Sequence, residues 1–414
     1  MSILIKNVIL NGKKRDIFID GKIKKIGSKL DLKAAEKIDG KGEKAVLPGL
    51  INCHTHAAMT LFRGYADDLP LKDWLEKKIW PLEAKLTKDD VYWGTKLACL
   101  EMIKTGTICF NDMYWAEEAT VKATEEMGMR TKIGLVLLDF LPIGSKENIE
   151  KYWKAFQKKK LKITTFSIAP HSIYSVSREN LVWAKNFAKR NNLILHLHAS
   201  ETKEEVKDCQ KKWKMRPVEY LDKIGLLGPS VVLAHGVWLS DKEIKILGKR
   251  KCSVVYNPCS NLKLASGIML YRKLKENNVN ICLGTDGPAS NNNLDMFEEM
   301  KVGALIQKYL EGDPTVVSAS EILDTATING ARALGINSGR VAMNKPADLI
   351  LINLNDIAFS PGHNLVSDIV YSASGSAVSD TICNGKILMR DRKVKNEDEI
   401  IRKASSISKK LIGK

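Results

Sequence analysis

Short apolar, β-branched runs recur along the middle of this chain, and most of them stop on a residue able to bind a proton or a metal ion. In order they read AVLPGLINCHTH, TGTICFNDM, TKIGLVLLD, TTFSIAPH, LILHLHASE, VVLAHGV, CSVVYNP and NICLGTD. Runs of this kind, each preceded by a helix-periodic segment, are the pattern of parallel strands buried beneath helices. Eight such units predict an α/β fold of the (β/α)8 barrel type, in which strand ends deliver side chains to one mouth.

The flanking segments alternate instead. ILIKNVIL, a turn at Asn11-Gly12, RDIFID, a turn at Asp20-Gly21 and KIKKIG open the chain. ADLILINL, the stretch around Val370, and DTICNGKILMR with a turn at Asn384-Gly385 close it. Period-two strands punctuated by Asn-Gly and Asp-Gly read as antiparallel sheet. Exposed strand edges at both ends need partners, so the termini are expected to join in one small β-sandwich interrupted by the barrel. The expected division is 1–48 and 339–414 for the sandwich, the latter with a terminal helix, and 49–338 for the barrel.

Size and composition restrict the function classes. At 414 residues, 44% hydrophobic and 27% charged, the chain has the make-up of a globular protein with room for a barrel of about 250 residues and a smaller unit. No apolar run approaches the roughly 18 residues of a membrane span. The N-terminus alternates like a strand and has no secretory pattern, so a cytoplasmic protein is expected. Eight scattered cysteines without a C-x-x-C pair suit buried thiols in a reducing compartment. The net charge of +17 comes from lysines spread over amphipathic segments, without aromatic interleaving, and reads as a solvated surface with no nucleic-acid partner.

Six of the seven histidines fall at the predicted strand ends: His54 and His56, His171, His196 and His198, and His235. Asp286 closes the series. His54 and His56 are two apart on a strand, so both point to one face and can share an ion. With His198 and Asp286 they make three imidazoles and a carboxylate, a set suited to one divalent ion, Zn²⁺ or alternatively Fe²⁺, with an open position for water. His196 shares a face with His198; the latter, nearer the mouth, is the expected ligand, leaving His196 a deeper barrel residue. Glu201 follows directly and is the expected general acid and base. Glu204 and Glu205 read as first-turn acids of the next helix. His235 is placed to stabilise developing charge, His171 to touch substrate, and Asp286 to act as ligand or as a base for the water.

These motifs resemble the amidohydrolase superfamily in its mononuclear-metal form. More narrowly, they are similar to the branch that deaminates 5'-methylthioadenosine, S-adenosylhomocysteine and 5'-deoxyadenosine. The likeness runs through PGLINCHTHAAMTLFRGYADDLPLKDWLEKKIWPLE, HLHASET, LAHGVWL, NPCSNLKLASG, GTDGPASNNNLDMFEEM, ATINGARALG and KPADLILIN. It implies metal binding by His54, His56, His198 and Asp286, proton transfer to adenine by Glu201, and orientation of the nucleophile by His235. It also implies that Glu83 accepts hydrogen bonds from the ribose hydroxyls, that Trp80 and Leu82 wall the pocket, and that the protein is a homo-oligomer.

Strand four ends in His171 and carries no bridging lysine, which disfavours the binuclear branch. Pro258-Cys259 is followed by Leu262 where a cytidine-type deaminase would need its second cysteine. One departure bears on substrate. Relatives that hold the homocysteine tail place arginines after strand three, but here none occurs between Arg130 and Arg178, and Lys146 is the available cation. Small or apolar 5'-groups are therefore expected to be accepted at least as well as the amino-acid tail. The alternative substrates are guanine, a pterin or a triazine; a barrel that had lost activity would be expected to have lost ligands, and all four are present.

Overall fold

The structure, a computed structural model, describes residues 2–413 of the 414-residue chain. Five strands precede the barrel: β1 (Ser2–Leu10), β2 (Lys13–Asp20), β3 (Lys22–Gly27), β4 (Glu36–Asp39) and β5 (Lys44–Pro48). The barrel strands are β6 (Leu50–Thr55), β7 (Thr107–Asp112), β8 (Arg130–Leu137), β9 (Thr164–Pro170), β10 (Ile194–Ala199), β11 (Val231–His235), β12 (Ser253–Tyr256) and β13 (Asn280–Leu283). Four follow: β14 (Leu349–Asn353), β15 (Val378–Cys383), β16 (Lys386–Arg390) and β17 (Lys393–Val394), and then the helix Glu397–Leu411.

β6 to β13 lie side by side in chain order, every neighbouring pair parallel, as an eight-stranded sheet. Its two edges meet in a seam held by single bonds rather than by a ladder. Asp286 N–H donates to His54 O (3.0 Å), while the Asn52 amide accepts from Thr285 N–H (3.1 Å) and donates to Thr285 Oγ1 (2.7 Å). Ile51, Leu135, Ile168, Leu197, Leu233, Val255 and Leu283 are all buried in one core with the surrounding helices, as expected for a parallel sheet covered on both faces.

The predicted first barrel strand is in fact two strands of different sheets. β5 pairs with β14 in the terminal sheet, and β6 pairs with β7 in the barrel. Gly49 lies between them, where a Cβ would stand 2.4 Å from Ile108 side-chain carbons. The absence of a side chain is what lets the backbone change sheets there.

The two β-rich ends form one nine-stranded sheet, ordered β17-β16-β15-β14-β5-β1-β2-β3 with β4 added on β1. β3 returns to the entry of β14, where Ile23 N–H donates to Lys345 O (2.9 Å) and Asn344 N–H to Ile23 O (2.8 Å). The expected sandwich is thus a single sheet folded over, with Ile3, Ile17, Ile19, Leu349, Leu351 and Ile382 enclosed in its own core. β4 escaped prediction because EKID buries only Ile38. The stretch around Val370 is corrected: Asp368–Ser372 is a π-helical turn, entered through an Asn364 cap that accepts from Ser367 N–H, with Ile369 and Val370 both buried. No described helix is long and apolar enough to cross a membrane.

Candidate active site and metal centre

The histidines singled out in the sequence, together with Asp286, lie at the C-terminal ends of barrel strands, except His196 one layer below, so they share one mouth. His54 is on β6 and His56 just beyond it; His171 follows β9; His196 and His198 lie on β10; His235 ends β11; Asp286 stands three residues past β13. His235 and Asp286 have left-handed backbones (φ 74° and 58°). Non-glycine residues rarely adopt this conformation, and when held in it they cluster at functional sites.

The side chains converge. His54 Nε2 and His56 Nε2 are each 3.3 Å from Asp286 Oδ1, and His198 Nε2 is 3.4 Å from His56 Nε2. Two overlapping triads, His54-His56-Asp286 and His54-His198-His235, have their ligand atoms within 4.8 Å of one another. His54 Nε2 is fully buried and, beyond its 3.3 Å approach to Asp286 Oδ1, makes no hydrogen bond among the described residues. Imidazole nitrogens facing one another and a carboxylate in a dry pocket fit a divalent cation, because the cation supplies the positive charge that this set of donors lacks.

Each ring is steered from behind. His56 Nδ1 contacts Met113 O at 2.6 Å and His198 Nδ1 contacts His171 O at 2.8 Å, which leaves Nε2 of each for the centre. His54 Nδ1 is 3.1 Å from His196 Nε2, and His196 Nδ1 is 2.9 Å from Asn111 Nδ2. His196 is therefore the deeper residue that its position on β10 suggests. The carboxylate of Asp286 is divided: Oδ1 faces His54 and His56, while Oδ2 accepts from Ser260 Oγ (2.6 Å) and Ser290 Oγ (2.9 Å).

Burial dominates the electrostatics. It lowers His54 to about 4 and His171 to about 3, and together with neighbouring rings it holds His196 and His198 well below the ordinary histidine value. Lowered values favour the neutral rings, the form in which His54 and His198 can ligate. For His56 burial opposes charge, but the Asp286 carboxylate and the Met113 carbonyl outweigh it and raise it to about 9. Asp286 is likewise penalised by burial, yet its contacts with His54 and His56 keep it well below the usual carboxylate range.

Glu201 lies two residues beyond β10, buried, with Oε2 3.8 Å from His235 Nε2 and Oε1 3.5 Å from Ser266 Oγ. Burial raises its pKa against the pull of His235, as suits a group that must both take and give a proton. His235 Nδ1 contacts Asn261 Oδ1 at 2.9 Å, so Nε2 faces the centre. His171 packs on His198 with ring centroids 4.6 Å apart and holds Ser175 Oγ at 2.9 Å through Nδ1.

Glu83 ends the short helix Trp80–Glu83, and its Oε1 accepts from Tyr114 Oη at 2.7 Å. Burial raises its pKa, with Tyr114 and His56 acting against the shift. Trp80 is partly exposed and its ring lies 6.1 Å from that of Phe140, in the loop after β8. Lys146 is engaged elsewhere, with Nζ 2.9 Å from Glu179 Oε1.

The supporting residues Asn111, Tyr114, Ser260, Asn261 and Ser290 were not among those picked from the sequence. Each is a common polar residue whose contact at the site is set by the assembled mouth and not by a local motif, so only the folded chain reveals it. Asp112 belongs with them: it ends β7 and accepts Ala57 N–H at 2.8 Å, directly behind His56.

Known proteins resemble this chain along its whole length. Residues 45–388 match the model of the Amidohydrolase family. The chain is 49% identical over 425 residues to the 5'-deoxyadenosine deaminase of Methanoregula boonei, covering 99% of this chain and 95% of the relative. It is 44% identical over 421 residues to 5-methylthioadenosine/S-adenosylhomocysteine deaminase 1 of Archaeoglobus fulgidus, covering 99% of each. Among solved structures, an adenosine deaminase from Xanthomonas campestris with bound zinc superimposes with a TM-score of 0.94 at 32% identity, covering 100% of this chain and 98% of the other.

Proposed function

This chain belongs to the amidohydrolase family, and we propose that it is a hydrolytic deaminase of 5'-modified adenosines. Its substrates are 5'-deoxyadenosine, 5'-methylthioadenosine, S-adenosylhomocysteine and adenosine, each converted to the hypoxanthine nucleoside with release of ammonia. The observation that carries this reading is the placement of the Glu201 carboxylate and the His235 imidazole beside the His54, His56, His198 and Asp286 cluster. The names of the full-length relatives supply the substrate class.

His54, His56, His198 and Asp286 would hold the metal, with Zn²⁺ the species that suits this donor set. When bound, such an ion supplies Lewis acidity that brings the pKa of a water down towards neutrality. The protein does the rest. Glu201 takes a proton from the water and delivers it to N1 of the purine, a transfer typically worth about 10²–10⁴ in rate. His235 Nε2 steadies the oxygen as the C6–O bond forms. With Ser260 and Ser290 donating to Oδ2, Asp286 is a weaker base than a free carboxylate, which favours Glu201 as the principal proton carrier. Collapse breaks C6–N6 as the remaining proton of the new C6–OH passes, by way of Glu201, to the amine, which leaves as ammonia and restores the ring C6–O carbonyl. Glu83 accepts from the vicinal ribose hydroxyls, with Tyr114 fixing one of its oxygens.

The 5'-preference follows from what surrounds the loop after β8. Phe140 is 57% exposed and Leu141 39% exposed, and the one lysine in reach by sequence is paired with Glu179. An apolar 5'-group is favoured over a charged tail by this arrangement. The site works as a catalyst of a small-molecule nucleoside reaction in the cytoplasm, and within a homo-oligomer.

The test is ammonia release by zinc-loaded protein from 5'-deoxyadenosine, 5'-methylthioadenosine, S-adenosylhomocysteine, adenosine, adenine, guanine and cytosine. Turnover of the nucleosides, with the first two at least as good as S-adenosylhomocysteine in kcat/KM, is expected. Silence on every adenosine overturns the substrate assignment, and a dominant S-adenosylhomocysteine overturns the 5'-preference alone.

A further inference from the structure

Glu205 stands in the first turn of the helix Lys203–Trp213, where an acid is unremarkable for its dipole, yet this one is buried. Its two oxygens accept from consecutive peptide N–H groups: Oε1 from Ser200 (2.9 Å) and Oε2 from Glu201 (2.8 Å). Between β10 and the helix the chain must turn sharply, and Ser200 does so in the left-handed region (φ 54°). A non-glycine residue pays for that conformation, so something must hold it there. On the opposite side of the same corner, Ser200 O accepts from Val237 N–H (3.0 Å) and Trp238 N–H (2.8 Å) in the segment after His235. Thr202 Oγ1 in turn accepts from Glu205 N–H (3.1 Å), which fixes the clamp to its own helix.

From this geometry, and resting on the role given above to Glu201, we propose that Glu205 is a positioning residue for the proton carrier. By gripping the Ser200 and Glu201 peptides it fixes the strained corner from which the Glu201 side chain reaches the reacting ring. Proton transfer is sensitive to such placement, since a misplacement of about 1 Å can cost about 10²-fold. Glu205 does not touch substrate. Burial pushes its carboxyl up to about 7, the two peptide donors acting against the rise. This is the cost the fold bears for placing an acid there.

Glu205→Gln replaces one acceptor oxygen by an amide that opposes a peptide N–H. The expected result is a kcat lower by about 10²-fold with KM within about twofold of the parent and zinc content unchanged. Amide hydrogen exchange at Ser200 and Glu201 should accelerate in the same variant, a readout that stands even if the substrate assignment fails. Adding Ser200→Gly, which adopts the left-handed corner without cost, should recover about tenfold of the lost kcat. Glu205→Asp, which keeps the carboxyl group on a side chain one methylene shorter, should fall between and serves if the glutamine variant does not fold. The inference is overturned if Glu205→Gln, or Glu205→Asp in its place, turns over at the parental rate. It is also overturned if the loss falls on KM, or if Ser200→Gly gives no recovery.

Discussion

Removing the carboxylate of Glu83 should remove most of the enzyme's sensitivity to the ribose hydroxyls. Tyr114 Oη already donates to Oε1 at 2.7 Å, so that oxygen has one further lone-pair direction and Oε2 keeps both. A vicinal diol can therefore make two hydrogen bonds to this carboxyl group, each worth about 1.5–3 kcal/mol to its charged form, or about 10- to 150-fold. In the parent, 2',5'-dideoxyadenosine should then lose about 10- to 150-fold in kcat/KM against 5'-deoxyadenosine. Glu83→Gln keeps the shape and an acceptor for Tyr114 but turns an amide towards the diol. Its kcat/KM for 5'-deoxyadenosine should fall by a similar factor, and the penalty for lacking the 2'-hydroxyl should shrink to about threefold or less. The assay is steady-state ammonia release in this two-by-two comparison of protein and substrate. An undiminished 2'-hydroxyl effect in Glu83→Gln would refute the ribose contact, whatever happened to the absolute rate.

Other expectations follow from the same site. Glu201→Gln should retain stoichiometric metal by elemental analysis while losing about 10²–10⁴ in kcat; an active variant ends its assignment as proton carrier. Combining Ser260→Ala with Ser290→Ala strips both donors from Asp286 Oδ2, and competition with a chelator should show zinc affinity weaker by about 10- to 100-fold. Buried Glu299 is raised to about 8, chiefly by burial, although Cys259 N–H and Asn291 donate to it. Its unfolded counterpart ionises near 4.3, so between these values the folded chain binds the extra proton and stability falls as pH rises. Glu299→Gln should therefore flatten the decline in Tm as pH rises between about 5 and 8, and an unchanged slope would rule that group out as its cause.

Much of this was legible before any coordinates. All eight barrel strands are visible as apolar runs because a strand buried on both faces has no room for polar residues until it reaches the mouth. His54, His56, His198, Glu201, His235 and Asp286 are visible because they stand where those runs stop. The change of sheet at Gly49 was hidden, since its cause is the Ile108 side chain of another strand. β4 was hidden by its polarity, and the turn at Asp368–Ser372 by an apolar pair that reads equally well as strand. Glu205 reads correctly as a first-turn acid, but its grip on Ser200 and Glu201 depends on a corner whose backbone angles no local pattern announces.

The seam of the barrel gives the site a place in time. Thr55 Oγ1 reaches Asp286 O across 231 residues, and Asp286 N–H bonds His54 O at the same junction. A chain still emerging from the ribosome holds its histidines in hand well before the carboxylate that completes them has been synthesised. The full donor set therefore exists only once the segment after the last barrel strand has docked against the first, and any ion held by all four groups would be held by a closed cylinder. On the proposed roles, a chain lacking Asp286 would be without turnover, and turnover would report that the ring has closed.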